Sequence, residues 1–159
     1  PSYDSFEPPP DESAVGSSGS DVPVTSQAGG TSQSKEAYQN AYTTLQTGRY
    51  TDAIGLFNSF LATYPDDRYS DNAQYWLGEA YYVTRDFGAA RESFAKVIER
   101  FPKSPKVPDA MLKIGYIEYE QGHWEEARRA LSDIIKDYPD STAASLAEKR
   151  LVRMNQERR

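Results

Sequence analysis

The chain has 159 residues, 38% hydrophobic and 26% charged, with a formal charge of −6; this suits one packed domain and a tail. It has no cysteine and one histidine, His123, which excludes disulfides, thiolate metal sites and histidine-cluster metal sites, so no cofactor is expected. Residues 1–34 hold five acids and no base while the rest holds 19 acids and 18 bases, so the basic footprint that nucleic acid requires is missing.

In chain order, residues 1–33 come first, rich in Pro, Ser, Gly and Asp, with "EPPPDESAVGSSGSD" and "SQAGGTSQS". So few apolar side chains cannot offset backbone ordering, which predicts a disordered linker. "GSSGS" fits neither a nucleophile elbow nor a phosphate loop. Pro1 is read as the start of a processed or trimmed chain. No signal peptide or apolar run of ~20 residues is present, so no membrane insertion is expected.

From Ser34 a repeat takes over. "GRYTDAIGLFNSFLATYP", "RDFGAARESFAKVIERFP" and "GHWEEARRALSDIIKDYP" end at Pro65, Pro102 and Pro139, each 37 residues apart. The same step links Ala53, Ala90 and Ala127; Tyr50, Phe87 and Trp124; Phe57, Phe94 and Leu131; and, in the preceding helices, Ala41, Gly78 and Gly115. Each unit is predicted to be a helical hairpin whose first helix carries a small residue where the second crosses closely. Gly78 gives up ~1 kcal/mol of helix propensity for that approach. Turns fall at Gly48-Arg49, Arg85-Asp86 and Gly122-His123, and proline closes the second helix. Ser34 and Thr51 are expected N-caps, and Pro108 suits a first helical turn.

This pattern resembles the tetratricopeptide repeat. The second copy matches best, through Leu77, Gly78, Tyr81, Ala90, Phe94 and Pro102. The first copy departs at Asn40 and Thr44, the third at Glu118, and all are 37 rather than 34 residues long. The expected fold is an all-α hairpin solenoid: linker 1–33, three repeats over 34–142 (about 34–68, 69–105 and 106–142), and a capping helix over 143–159.

Stacked hairpins line their inner surface with the first helix of each unit. The inward rows are Tyr38, Tyr75 and Leu112; Tyr42, Glu79 and Tyr116; and Leu45, Tyr82 and Tyr119. Lys35, Asn72, Asp109, Lys113 and Glu120 rim them, with Arg150 and Arg153 from the cap. The candidate protein-binding groove is therefore Tyr38, Tyr42, Asn72, Tyr75, Glu79, Tyr82, Asp109, Lys113, Tyr116 and Tyr119. Tyrosine offers broad apolar area and a hydroxyl that stays hydrogen-bonded, which suits a bound helix or extended segment. The competing reading is core packing, taken as the better one for Trp76 and Tyr81 and as structural for Trp124; for Tyr42, Tyr82, Tyr116 and Tyr119 both stay open.

Catalysis finds little support. His123 has no serine, cysteine or second histidine in register, and the carboxylate pair Asp66-Asp67 lies in a polar loop. Repeats that clamp chaperone C-termini use Lys, Asn, Asn, Lys and Lys/Arg. This chain has Tyr38, Tyr42, Trp76, Asp109 and Lys113 at those positions, so a cochaperone role is not expected.

"NAQYWLGEAYY", "FPKSPKVPDAMLKIGYIEYEQG" and "YPDSTAASLA" resemble the C-terminal domain of the Tol–Pal-associated cell-division coordinator family (CpoB/YbgF), over about residues 34–159. The resemblance implies a non-enzymatic periplasmic adaptor. It would bind TolA and couple outer-membrane constriction to septal peptidoglycan synthesis by a penicillin-binding protein and its lipoprotein activator. It implies a signal peptide and a trimerising coiled coil before the linker, neither seen in this sequence, so a homotrimer is expected only with that coil. The alternative is another periplasmic repeat scaffold for outer-membrane protein assembly, where similar "YP-x-S" turns occur. A more distant one is a peptidoglycan-binding or hydrolytic domain.

Overall fold

The computed structural model describes the backbone of residues 28–159 and side chains from residue 32 onward. Within these residues the chain forms seven helices: α1 Ala28–Gln46, α2 Tyr50–Thr63, α3 Ser70–Val83, α4 Phe87–Arg100, α5 Val107–Glu120, α6 Trp124–Asp137 and α7 Thr142–Gln156. Each packs chiefly on its sequence neighbours, with further contact between α1 and α3 and between α5 and α7. This is the hairpin solenoid read from the repeat, with α7 as its cap.

The crossing inside each hairpin has the expected cause. A Cβ built on Gly78 would lie 2.7 Å from Phe94 Cε1, and one on Gly115 would lie 2.9 Å from Leu131 Cδ2. Phe57, Phe94 and Leu131 are fully buried, as is Ala41 at the equivalent place in the first hairpin. The bulky side chain of the second helix fills the space that the small residue of the first leaves open.

Turns and caps are built alike in the three units. Gly48, Arg85 and Gly122 adopt φ of 79°, 62° and 78°. The next amide reaches five residues back, Arg49 to Thr44 O, Asp86 to Tyr81 O and His123 to Glu118 O, covering carbonyls that the helix end leaves open. Arg85 takes a left-handed conformation that favours glycine, and its guanidinium lies 5.0 Å from the Phe87 ring centre. After each second helix, Tyr64, Phe101 and Tyr138 leave the helical region, with ψ of 68°, 56° and 54°, because a proline follows. The long loops then use one position as an anchor: Asp67 Oδ1 accepts from Tyr69 N, Ser104 Oγ from Lys106 N and Ser141 Oγ from Ala144 N.

Three local expectations need correction. Thr51 lies inside the first turn of α2, because the Gly48 turn feeds the helix directly at Tyr50. Ser34 is not a cap either: α1 starts at Ala28, and Ser34 is fully buried within it. That packing lies one turn before the apolar pattern begins, and the hydrogen-bond ladder extends back from it into the expected linker. Residues 28–33 are thus helical, while the rest of that linker lies outside the described residues. Pro108 does stand in the first turn of α5.

Neighbouring hairpins are joined at one recurring pair of positions, 27 residues apart. Arg91 Nε donates to Glu118 Oε1 at 2.6 Å, and Arg128 Nη1 donates to Asn155 Oδ1 at 2.8 Å. Ile54 and Tyr81 hold those positions at the first junction, where Asn58 Nδ2 meets the Tyr81 hydroxyl at 3.5 Å. The departure at Glu118 is therefore one face of a junction whose other face changes with it. His123 Nδ1 stands 2.8 Å from Glu118 Oε2, so the carboxylate joins α4, α5 and the following turn. Burial alone would raise the Glu118 carboxyl, but hydrogen bonds from Arg91 and His123 outweigh it and hold it below its ordinary value.

Gly78→Ala is expected to destabilise by about 1–3 kcal/mol through overpacking, despite the ~1 kcal/mol it gains in helix propensity. Gly115→Ala should cost less, because a rotatable Leu131 methyl yields more easily than the buried Phe94 ring; urea midpoints of the two variants check this. The Glu118 contribution has a definite sign: a folded carboxyl held low stabilises above the ordinary value of 4.5 and loses that effect as pH falls through the folded value. Glu118→Gln should lower stability at neutral pH by about 1–2 kcal/mol and flatten that part of the acid limb in urea titrations at stepped pH.

Candidate protein-binding groove

The first helices of the hairpins and the cap form one continuous face, tied by side chains that pass from each to the next. Tyr42 of α1 meets Trp76 of α3 edge-on at 5.3 Å. Glu79 of α3 pairs with Lys113 of α5 at 2.9 Å, both largely shielded. Arg150 of α7 lies over Tyr116 and Tyr119 of α5 at 4.1 and 4.7 Å from their ring centres.

The ten expected groove residues divide by depth. Tyr38 does not line a surface: it is 1% exposed, stacked 4.9 Å from Tyr69 and set edge-on to Phe57 and Phe60. Tyr69, from a post-proline loop that helix-face arithmetic does not reach, covers it. Tyr42 and Tyr75 are 7% exposed and form the floor, Tyr75 packing on Trp76 at 5.1 Å and Phe94 at 5.4 Å. Burial pushes all three phenols above their ordinary value, for Tyr75 with help from the Glu79 and Asp109 charges.

Asn72, Glu79, Tyr82, Asp109, Lys113, Tyr116 and Tyr119 are half-buried, touching solvent along α3 and α5. Tyr82 rests on Phe87 at 5.7 Å and Tyr119 on Trp124 at 5.3 Å, so the aromatics that open α4 and α6 each support a ring of this face. Lys113 Nζ also lies 5.4 Å from the Tyr82 ring centre. At the cap, the Tyr119 hydroxyl donates to Glu157 Oε2 at 2.6 Å and Arg153 Nε donates to Glu157 Oε1 at 2.9 Å.

Two features escaped sequence reading. Lys106, in the loop before α5, sets its ammonium 5.0 Å from Tyr75 and 5.1 Å from Trp76. Glu157 is the other, and its position at the end of the cap gave no signal of its role. Of the residues taken as core, Trp76 is buried at 4% exposure and Tyr81 is half-buried at the first junction. Among the described residues no group of three or more His, Cys, Asp or Glu side chains is placed to hold a metal ion. No described helix is long and apolar enough to cross a membrane.

The chain matches known proteins in three ways. The profile of YfiO, described as an outer membrane lipoprotein, matches residues 31–157. The cell division coordinator CpoB of Pseudomonas putida is 40% identical over 55 residues, which is 35% of this chain and 20% of that protein. The match thus spans about a fifth of the relative's length. Among solved structures, the Yersinia enterocolitica type III secretion chaperone SycD, in complex with a peptide of the translocator YopD, aligns with a TM-score of 0.67 at 17% identity. That alignment covers 82% of this chain and 95% of that one. The Arabidopsis OM64 tetratricopeptide-repeat domain aligns with a TM-score of 0.63 at 16% identity, covering 76% and 94%. At such identities the likeness shows the fold alone. The chain belongs to the YfiO outer membrane lipoprotein family, as a tetratricopeptide-repeat domain similar to part of the cell division coordinator CpoB.

Proposed function

We propose that this domain is a non-enzymatic periplasmic adaptor that holds a polypeptide segment on the face formed by α3, α5 and α7. The observation carrying this reading is the row of half-buried Tyr82, Tyr116 and Tyr119, each held by a neighbouring side chain and partly open to solvent. Rings held by a helical frame bind with little loss of side-chain freedom and combine apolar area with a hydrogen-bonding tip. The 40% identity to a stretch of CpoB supports placing the adaptor in the Tol–Pal system. In this reading it binds TolA and links outer-membrane constriction to septal peptidoglycan synthesis by a penicillin-binding protein and its lipoprotein activator. SycD, of similar fold, holds a peptide of its translocator.

A second reading draws on the family match over residues 31–157: a periplasmic repeat scaffold in outer-membrane protein assembly. The two differ in the partner, not in the face used.

Replacing Tyr82 and Tyr119 together with Ala should weaken TolA binding by more than ~1 kcal/mol, read by calorimetry against TolA's periplasmic portion, with helical content unchanged by circular dichroism. Unchanged affinity would move the site to another face, and no binding by the unaltered chain would favour the second reading.

A further inference from the structure

Three cations lie on the rings of the groove face, and they differ in what neutralises them. Lys113 is paired with Glu79 at 2.9 Å. Lys106 is a flexible, strongly hydrated ammonium beside the start of α5. Arg150 sets its guanidinium carbon over two tyrosines, 4.1 and 4.7 Å from their ring centres. Its side chain makes no hydrogen bond or ion pair with any described residue. The nearby Glu157 carboxylate is already committed, one oxygen to Arg153 and the other to the Tyr119 hydroxyl.

A guanidinium over a ring keeps its five N–H donors in one plane, a fork that matches a carboxylate bidentately. Two tyrosines and a helix hold that fork still, so little freedom is lost when an anion arrives. The surroundings agree in sign: residues 142–159 carry five bases against two acids.

We infer that Arg150, seated on Tyr116 and Tyr119, is the carboxylate-recognising group of the groove, and that the bound partner segment places an aspartate or glutamate side chain there. The inference rests on the binding face proposed above and adds the partner's chemistry. Rings of α3 and α5 take the segment's apolar side chains, while Arg150 fixes its register through one charge. The device is distinct from the five-position clamp that reads chain ends, whose places hold Tyr38, Tyr42, Trp76, Asp109 and Lys113.

Two measurements test it. In the full chain, the Arg150 Nε–H resonance is followed by NMR while N-acetylglutamate amide, a lone side-chain carboxylate, is added. A saturable shift that disappears for N-acetylglutamine amide is expected, and a resonance that does not move overturns the inference whether or not TolA binds. In calorimetry against TolA's periplasmic portion, Arg150→Gln should weaken binding at least tenfold and Arg150→Lys by less; equal affinity for Arg150→Gln also overturns it. If the unaltered chain shows no binding, the proposed partner fails and the NMR titration alone decides. The chain's own acidic segment is the rival source of carboxylate. If Asp4→Asn, Glu7→Gln, Asp11→Asn, Glu12→Gln and Asp21→Asn together shift the Nε–H resonance before any ligand is added, the site belongs to that segment and the inference falls.

Discussion

The contact between a small residue on one helix and a bulky one on the next is the constraint from which the rest of this fold follows. Gly78 with Phe94 and Gly115 with Leu131 set how closely their hairpins close, and Ala41 and Phe57 hold the equivalent buried places in the first. A wider crossing would leave the ring or isobutyl group half-packed, with a void whose lining loses its dispersion contacts. Because the same closure recurs every 37 residues, the hairpins repeat one geometry, and a continuous face of first helices is its consequence.

Between hairpins the requirement is looser, and the chemistry varies accordingly. One pair of positions carries Ile54 and Tyr81, then Arg91 and Glu118, then Arg128 and Asn155. Such a junction needs matched partners rather than particular ones, since a polar group facing an unmatched partner there would lose its hydrogen bond. Matched but different junctions also discourage a hairpin from docking on the wrong neighbour. The cap ends the series in the same manner, through Asn155 and Arg128, while its opposite side reaches Tyr116 and Tyr119 with Arg150.

On the groove face, depth separates structural from available rings. Tyr38, Tyr42 and Tyr75 have been drawn into the core, whereas Tyr82, Tyr116 and Tyr119 stay partly open to solvent. The available rings lie on α3 and α5, beside Glu79, Lys113 and the cap's Arg150. Glu79 and Lys113 neutralise each other there, while Arg150 lies over Tyr116 and Tyr119 with no ion partner among the described residues.

The all-α class, the 37-residue hairpin, the role of Gly78 and Gly115 and the cap are legible in the residues alone, because they rest on periodicity and on residue size, which are local properties. Residue spacing also placed the ten groove candidates on one side of the first helices. Which of them reach solvent depends on packing between segments, since Tyr38 is covered by Tyr69 from the loop ahead of α3. That packing likewise settles that Glu118 answers Arg91, that Lys106 lies on Tyr75 and Trp76, and that α1 extends back to Ala28. Each of these depends on side chains arriving from another segment, at a distance that no spacing within one helix encodes.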